Sequence, residues 1–263
     1  MTHGVFAPRP GAAPRLAMVA SQAGFEARLL LRNGEQLLLT LVIPVLVLVL
    51  GAVVDFGLID TESSGADGRA DRLAFLAPGV LALAVLSTAF TGQAISTGFE
   101  RRYGALKLLG ASPLPRWGLL AGKTLAVLLV EVVQVAVVTV IALALGWLPR
   151  GSILSVLALA LVGTAAFSAL GLLMAGTLRA EATLAAANLV YLLLLAGGGI
   201  FLPLERFPGA VRSALELLPS AALADGLRAV LRDGAALPGR PVLILVVWAV
   251  LAGALAARTF RWE

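Results

Sequence analysis

The sequence predicts an all-α, polytopic membrane protein with six transmembrane helices, and three observations carry that prediction. Of its 263 residues, 60% are hydrophobic and 13% charged, against roughly half and about a quarter in a soluble domain. Several apolar runs reach the roughly 20 residues a helix needs to cross a hydrocarbon core about 30 Å thick. None of these runs alternates in hydrophobicity over about 10 residues as barrel strands do, so the spans are helices whose backbone polar groups pair within the segment. The chain has no cysteine, and its one histidine is His3. That composition excludes disulfides, thiol catalysis and a His/Cys metal set. The formal net charge of +5 comes from cations in short segments beside the apolar runs, the pattern of membrane topology rather than of nucleic-acid binding.

Residues 1–14 are rich in Pro, Ala and Gly and read as disordered. They lack the apolar core and cleavage site of a secretory signal, so no processing is expected. Residues 15–36 mix Leu16, Val19, Ala20, Ala23, Leu30 and Leu31 with Arg15, Glu26, Arg28, Arg32 and Glu35, which predicts an interfacial helix leading into the first span. That span covers about Leu37–Gly57, with Pro44 as a kink and Asp55 at its far end. The polar segment Asp60–Arg72 is placed outside. The second span, about Leu73–Thr97, carries Ser87, Thr88, Thr91, Gln93 and Ser96, a density of hydroxyls and amides that marks a helix facing protein or a water-filled path.

A basic stretch leads into the third span, about Trp117–Leu145. Pro149 and Arg150 make a short turn before the fourth, about Ile153–Leu178, where Gly163, Gly171 and Gly176 offer close packing. Arg179 and Glu181 form a tight turn into the fifth, about Ala182–Leu202, whose end at Gly197, Gly198, Gly199 and Pro203 should break the helix. Residues 204–239 are too charged to span and too apolar for an ordinary loop. Two short helices dipping into the outer leaflet, or an amphipathic surface lid, fit the spacing. The sixth span is about Pro241–Ala257. With six spans the termini share a side, which holds most of the loop cations, including Arg15, Arg101, Arg102, Lys107, Arg116, Lys123, Arg179 and Arg258. The opposite short loops hold Arg69, Arg72 and Arg150, so both termini are predicted to be cytoplasmic.

No enzyme signature is present. Gly118 to Thr124 resembles a phosphate-binding loop but has three residues, not four, between its glycine and the Gly-Lys pair, and it follows no strand. Lys123 therefore reads as an interfacial cation. Glu131 and Gln134 lie one turn apart inside the third span and share a face. A carboxylate at mid-membrane costs about 2.5 to 3.5 kcal/mol on insertion scales, so Glu131 should be paired, protonated or facing water. A place in a transport path and a structural hydrogen bond to another helix both fit, and Asn188 has the same two readings.

Phe99, Glu100, Arg101, Arg102, Gly104, Lys107, Leu109, Gly110, Ser112, Pro113, Leu114 and Arg116, followed by Gly122 and Lys123, resemble the region between the second and third spans of ABC-2 type permeases. A second match, at Gly198, Gly199, Phe201, Pro203, Leu204, Glu205, Pro208, Leu218, Pro219, Leu227 and Arg228, is similar to that family's fifth-span end and re-entrant outer helices. The resemblance covers nearly the whole chain. It implies a bacterial inner-membrane permease, without catalysis of its own, that works as a homodimer or with a sister permease. A separate ATP-binding-cassette ATPase would hold ATP and Mg. Residues 99–116 would be the coupling helix, with Glu100, Arg101, Arg102 and Lys107 forming ion pairs in the dock and Pro113 closing it. The family's transport path, a cleft between second and fifth spans, would bring Thr88, Thr91 and Gln93 near Asn188 and Tyr191. The function so implied is ATP-driven export of a hydrophobic or amphipathic compound such as a drug, lipid or glycoconjugate, with drug export linking it to antibiotic resistance. Two other readings stand beside it: a non-transporting scaffold or sensor that docks a cytoplasmic partner on the basic loop, and a proton-coupled carrier resting on Glu131.

Overall fold

The computed structural model describes residues 13–54, 66–111 and 113–259, and every regular element among them is helical. The chain opens with α1 (Arg15–Arg32), which stops at Asn33, and α2 (Gly34–Val53) starts at the next residue. The Asn-Gly pair ends α1 four residues before the predicted end at Gln36, because it is a turn signal that a helix passes through poorly. Val53 closes α2, so Asp55 and the far end of the first predicted span, with Asp60 and Glu62, lie outside the described residues.

The next element corrects a boundary. Helix α3 (Ala66–Val85), a π-helical turn (Leu86–Gly92) and α4 (Gln93–Arg102) run on without interruption. The stretch Gly68–Arg102 thus forms one apolar helix of 35 residues, longer than the predicted Leu73–Thr97. Residues 66–72, read as part of a polar loop, are its first two turns, because the acidic first turn suits a helix N-terminus. Of this helix's most apolar window 89% is buried inside the bundle, against 17% for the last helix, α11 (Gly239–Thr259). The long helix is therefore the central one.

Helix α4 ends at Gly104, whose φ of 78° is the left-handed conformation that glycine adopts without a Cβ penalty. A short α5 (Ala105–Gly110) follows, and then α6 (Arg116–Ala144), α7 (Ile153–Thr177) and α8 (Ala180–Gly197). Helix α8 stops at Gly197, five residues before the predicted Leu202, and Gly199 again has positive φ, 63°. A 3₁₀ turn (Leu204–Arg206), α9 (Gly209–Leu215) and α10 (Pro219–Leu231) lead to α11. Among the described residues five helices are long and apolar enough to cross a membrane, and α2 adds the shorter apolar stretch Thr40–Val53.

Glycines set the close approaches. Helix α7 lies against the π turn at Gly171, where an added Cβ would stand 2.7 Å from the Phe90 carbonyl oxygen, and against α10 at Gly163, where it would meet Leu223 at 3.0 Å. Helix α1 packs along α6, α11 along α7, and α10 on α3, α7 and α11. The larger core cluster, from Leu48 through Val80, Leu86, Phe90, Phe167 and Leu223 to Leu245, fills the space between them.

One guanidinium ties the end formed by α3, α8 and α10. Arg228 is buried, stacks 3.8 Å above the Phe75 ring, and donates to the Phe75, Gly199 and Ile200 carbonyls and to Asp225. The 199 and 200 carbonyls follow the broken end of α8, where no helical partner remains, and Pro78 removes a rung of the α3 ladder beside Phe75. Arg228→Met should lower stability by about 3 kcal/mol, because it orphans buried carbonyls. Arg228→Lys should recover part of that loss. Thermal unfolding in detergent checks both, and an unchanged midpoint in Arg228→Met would contradict the anchoring role.

Candidate functional site

Three groups of polar side chains stand out on this frame. The first gathers at the loop end of the bundle. Lys123 of α6 is 4% exposed, and its ammonium lies 2.9 Å from Glu26 of α1 and 2.7 Å from Glu100 of α4. Gln22, one turn before Glu26, donates to that carboxylate at 2.8 Å. Gly122 lets α1 come close, since an added Cβ would stand 3.0 Å from the Gln22 side chain. Lys123 is thus a buried bridge between three helices, not an interfacial cation. A cation here without counter-charges would carry a large desolvation cost.

The neighbouring cations also bind within the chain. Arg101 donates to the Leu178 carbonyl and Arg102 pairs with Glu181, both at the turn between α7 and α8. Gly98 faces Thr183 at the same junction. Glu100, Arg101 and Arg102, expected to form ion pairs in a dock, thus each have a partner within this chain. Helix α5 is seated by Leu106, fully buried with Val19, Leu114 and Leu119, and by half-buried Leu109. Its outer side presents Tyr103, 78% exposed, and the exposed Lys107 and Pro113. Arg116 begins α6; its side chain and all of Ser112 lie outside the described residues.

The second group is a cavity of about 500 Å³ bounded by α2, the π turn, α4 and α8. Ser87, Thr91 and Ser96 line it from the central helix, Asn188 and Tyr191 from α8, and Asn33, Thr40 and Ile43 from α2 and the break before it. The Tyr191 hydroxyl lies 3.3 Å from Ser87. Asn188 is exposed and donates to the Leu184 carbonyl of its own helix.

The third group is a buried ring inside the bundle. Thr88 donates to Gln134 at 2.8 Å, Ser168 to Gln93 at 2.6 Å, and Thr164 to Glu131. Thr164 and Ser168 are one turn apart on α7, and Glu131 and Gln134 one turn apart on α6, so the bonds close around three helices. The residues expected along one path therefore separate: Thr91, Asn188 and Tyr191 share the cavity, whereas Thr88, Gln93, Glu131 and Gln134 face inward. The cause is angular, because Ser87 and Thr91 lie one turn apart while Thr88 sits about 100° further round the helix.

At the opposite end, Pro203 precedes the 3₁₀ turn, Pro208 precedes α9 and Pro219 is the first residue of α10. Glu205 and Glu216 both pair with Arg212, and Glu216 also with Arg240. The hydrogen bond from Arg212, then that from Arg240, holds the half-buried Glu216 carboxyl below its ordinary range.

A family model described as ABC-2 family transporter protein matches residues 59–258. The chain belongs to this family. Curated proteins give no match. An ABC-2 transporter chain is a multi-pass membrane subunit of a transport machine, and the family implies an ABC ATPase as partner in general. Helices α1 and α2 precede the matched residues, so Glu26, which completes the Lys123 bridge, lies outside the match.

Sequence alone leaves Gln22, Thr164 and Ser168 unmarked and shows Glu26 only as one polar residue of the interfacial helix. The available signal was periodicity: Val19, Gln22, Ala23 and Glu26 fall on one face of α1, so an amide and an acid interrupt an otherwise apolar stripe. Lys123→Met should cost about 3 kcal/mol, since it strands two largely buried carboxylates. Glu26→Gln in the same chain should restore part of it by removing one of those charges. Thermal midpoints of the purified single and double variants test this, and additive losses would refute the bridge.

Proposed function

We propose that this ABC-2 family chain is the permease subunit of an ATP-driven exporter. It moves an amphipathic or hydrophobic compound out of the cytoplasm or the inner leaflet of a bacterial inner membrane. In this reading α2 joins the five long apolar helices to make six spans with both termini cytoplasmic, and residues 204–239 re-enter the outer leaflet. ATP and Mg²⁺ are held by a separate ABC ATPase, and a second permease, identical or sister, completes the pair. Export of a drug would confer resistance.

The observation that carries this reading is the continuity of the central helix. One helix, Gly68–Arg102, bears the cavity hydroxyls of Ser87 and Thr91 and delivers the loop that seats α5. A displacement of α5 by a partner ATPase reaches the cavity wall through backbone hydrogen bonds alone. In this reading the docking contacts lie on the outward side of α5, at the exposed Tyr103, Lys107 and Pro113. The inner ion pairs transmit force into α1, α6 and the turn between α7 and α8.

The test is ATP hydrolysis by the co-purified ATPase with and without the permease. Wild type should raise the rate. Lys107→Glu combined with Tyr103→Ala should weaken the complex about tenfold, equivalent to about 1.4 kcal/mol, and abolish stimulation while the permease's thermal midpoint stays unchanged. A scaffold that only holds its partner would bind the ATPase without altering its rate, and that result would replace the exporter reading.

A further inference from the structure

The inference drawn here rests on reading the cavity as the transport path, and it narrows the class of cargo. We infer that the cavity takes an uncharged amphiphile with several dispersed hydrogen-bonding groups, such as a glycoside or a polyamide. Amphiphiles whose polar part is a phosphate or an ammonium ion are rejected.

The first argument is the chemistry of the wall. Asn33, Ser87, Thr91, Ser96, Asn188 and Tyr191, all bearing hydroxyls or amides, line a volume of about 500 Å³, and among the described residues no Asp, Glu, Lys, Arg or His lines it. That volume falls in the range of about 300 to 1,000 Å³ typical of small-molecule sites. A phosphate entering here would leave water without meeting a cation, and an ammonium would do so without meeting an anion. An unpaired ion carries a far larger desolvation cost than a neutral hydroxyl that finds a partner.

The second argument is where the nearby charges are. Three charged groups of α4 and α6 are engaged elsewhere. Lys123 lies between Glu26 and Glu100, Arg102 is on Glu181, and Glu131 faces Thr164 across the buried ring. Neither Lys123 nor Glu131 can swing to the cavity without stranding a buried partner.

The third argument is the distribution of polar groups. Nine residues separate Ser87 from Ser96, about 13 Å along the helix, and Thr91 lies between them. On α8, Asn188 and Tyr191 face the same length. The Thr91 hydroxyl is buried in the wall without a hydrogen-bond partner among the described residues, while Ser87 and Ser96 donate to the Leu83 and Gln93 carbonyls and keep their oxygens as acceptors. Polar contacts therefore run along the cavity instead of gathering at one end as they would for a single charged headgroup. A ligand carrying hydroxyls or amides along its body matches this spacing.

Binding is measured directly, without the ATPase, on the full-length permease in phosphatidylcholine nanodiscs. Three fluorescent probes share one alkyl chain and differ in polar group: a disaccharide glycoside, a phosphate monoester and a quaternary ammonium. The glycoside should bind at least tenfold more tightly than either ion. Thr91→Trp, which fills the cavity, should weaken glycoside binding by at least tenfold. Asn188→Leu, at an exposed position that leaves the bundle contacts intact, should weaken it about fivefold through one lost hydrogen bond. Charged probes that bind as tightly as the glycoside, and lose that binding in both variants, would overturn the inference while leaving the path in place. Glycoside binding indifferent to both variants would instead remove the cavity from the transport path, and the inference with it.

Discussion

The Lys123 ammonium, held between Glu26 and Glu100, is the contact on which the loop end of this molecule depends. An isolated charge in so dry a position would carry a cost of several kcal/mol. Its two carboxylates come from helices far apart in sequence, and satisfying them brings α1, α4 and α6 to one point. Gly122 and the small face of α1 then allow the close approach, and the Gln22 amide answers one further lone pair of Glu26. Once these helices are fixed, Val19, Leu114 and Leu119 form the hollow into which Leu106 drops. The seat of α5 is thus a consequence of a charge that must be neutralised, more than of apolar packing.

At the other end the same logic operates on backbone instead of side chains. Helix α8 breaks at a run of glycines before the bundle ends, and a break away from water leaves carbonyls without donors. Arg228 supplies a planar fork of donors, which suits several carbonyls approached at once better than the single point of a lysine. Asp225 balances its charge and the Phe75 ring covers its face. Arg228 joins the apolar packing of Leu223, Leu227 and Val230 in holding residues 204–239 to the spanning helices, so a segment too polar to cross a bilayer still folds against the core.

Much of this frame was legible in the amino-acid order. Composition gave a membrane bundle, Trp117 and Ile153 marked helix starts to within a residue, and Gly197–Gly199 announced the end of α8. The second span was drawn short because Asp71 and Arg72 look like a loop in hydropathy, although acidic residues are favourable in the first turns of a helix. The π turn carries no local signal, since its residues are ordinary helix formers and only tertiary packing against Gly171 reveals it. The site was less legible. Glu100, Arg101 and Arg102 are recognisable as a charged cluster, but a sequence does not say whether a charge's partner lies in its own chain. Likewise Thr88 and Thr91 look equivalent in a run of hydroxyls, and only the helix phase assigns one to the buried ring and the other to the cavity.

The length of the central helix decides how these parts act together. Thirty-five residues rise about 52 Å, more than the roughly 40 to 45 Å of a bilayer with its headgroups. The ion pairs of Glu100, Arg101 and Arg102 hold its loop end to α6 and to the turn between α7 and α8, and Arg228 grips Phe75 near the opposite end. Between the two anchors the helix has two weakened places, Pro78 and the π turn, each lacking the regular ladder that makes a helix stiff. Strain applied at the loop end is resisted at Phe75, so it concentrates at the nearer weak place. That place is Leu86–Gly92, the segment that carries Ser87 and Thr91. A change of phase there turns one wall of the cavity while the buried ring, bonded from the other side through Thr88, opposes it.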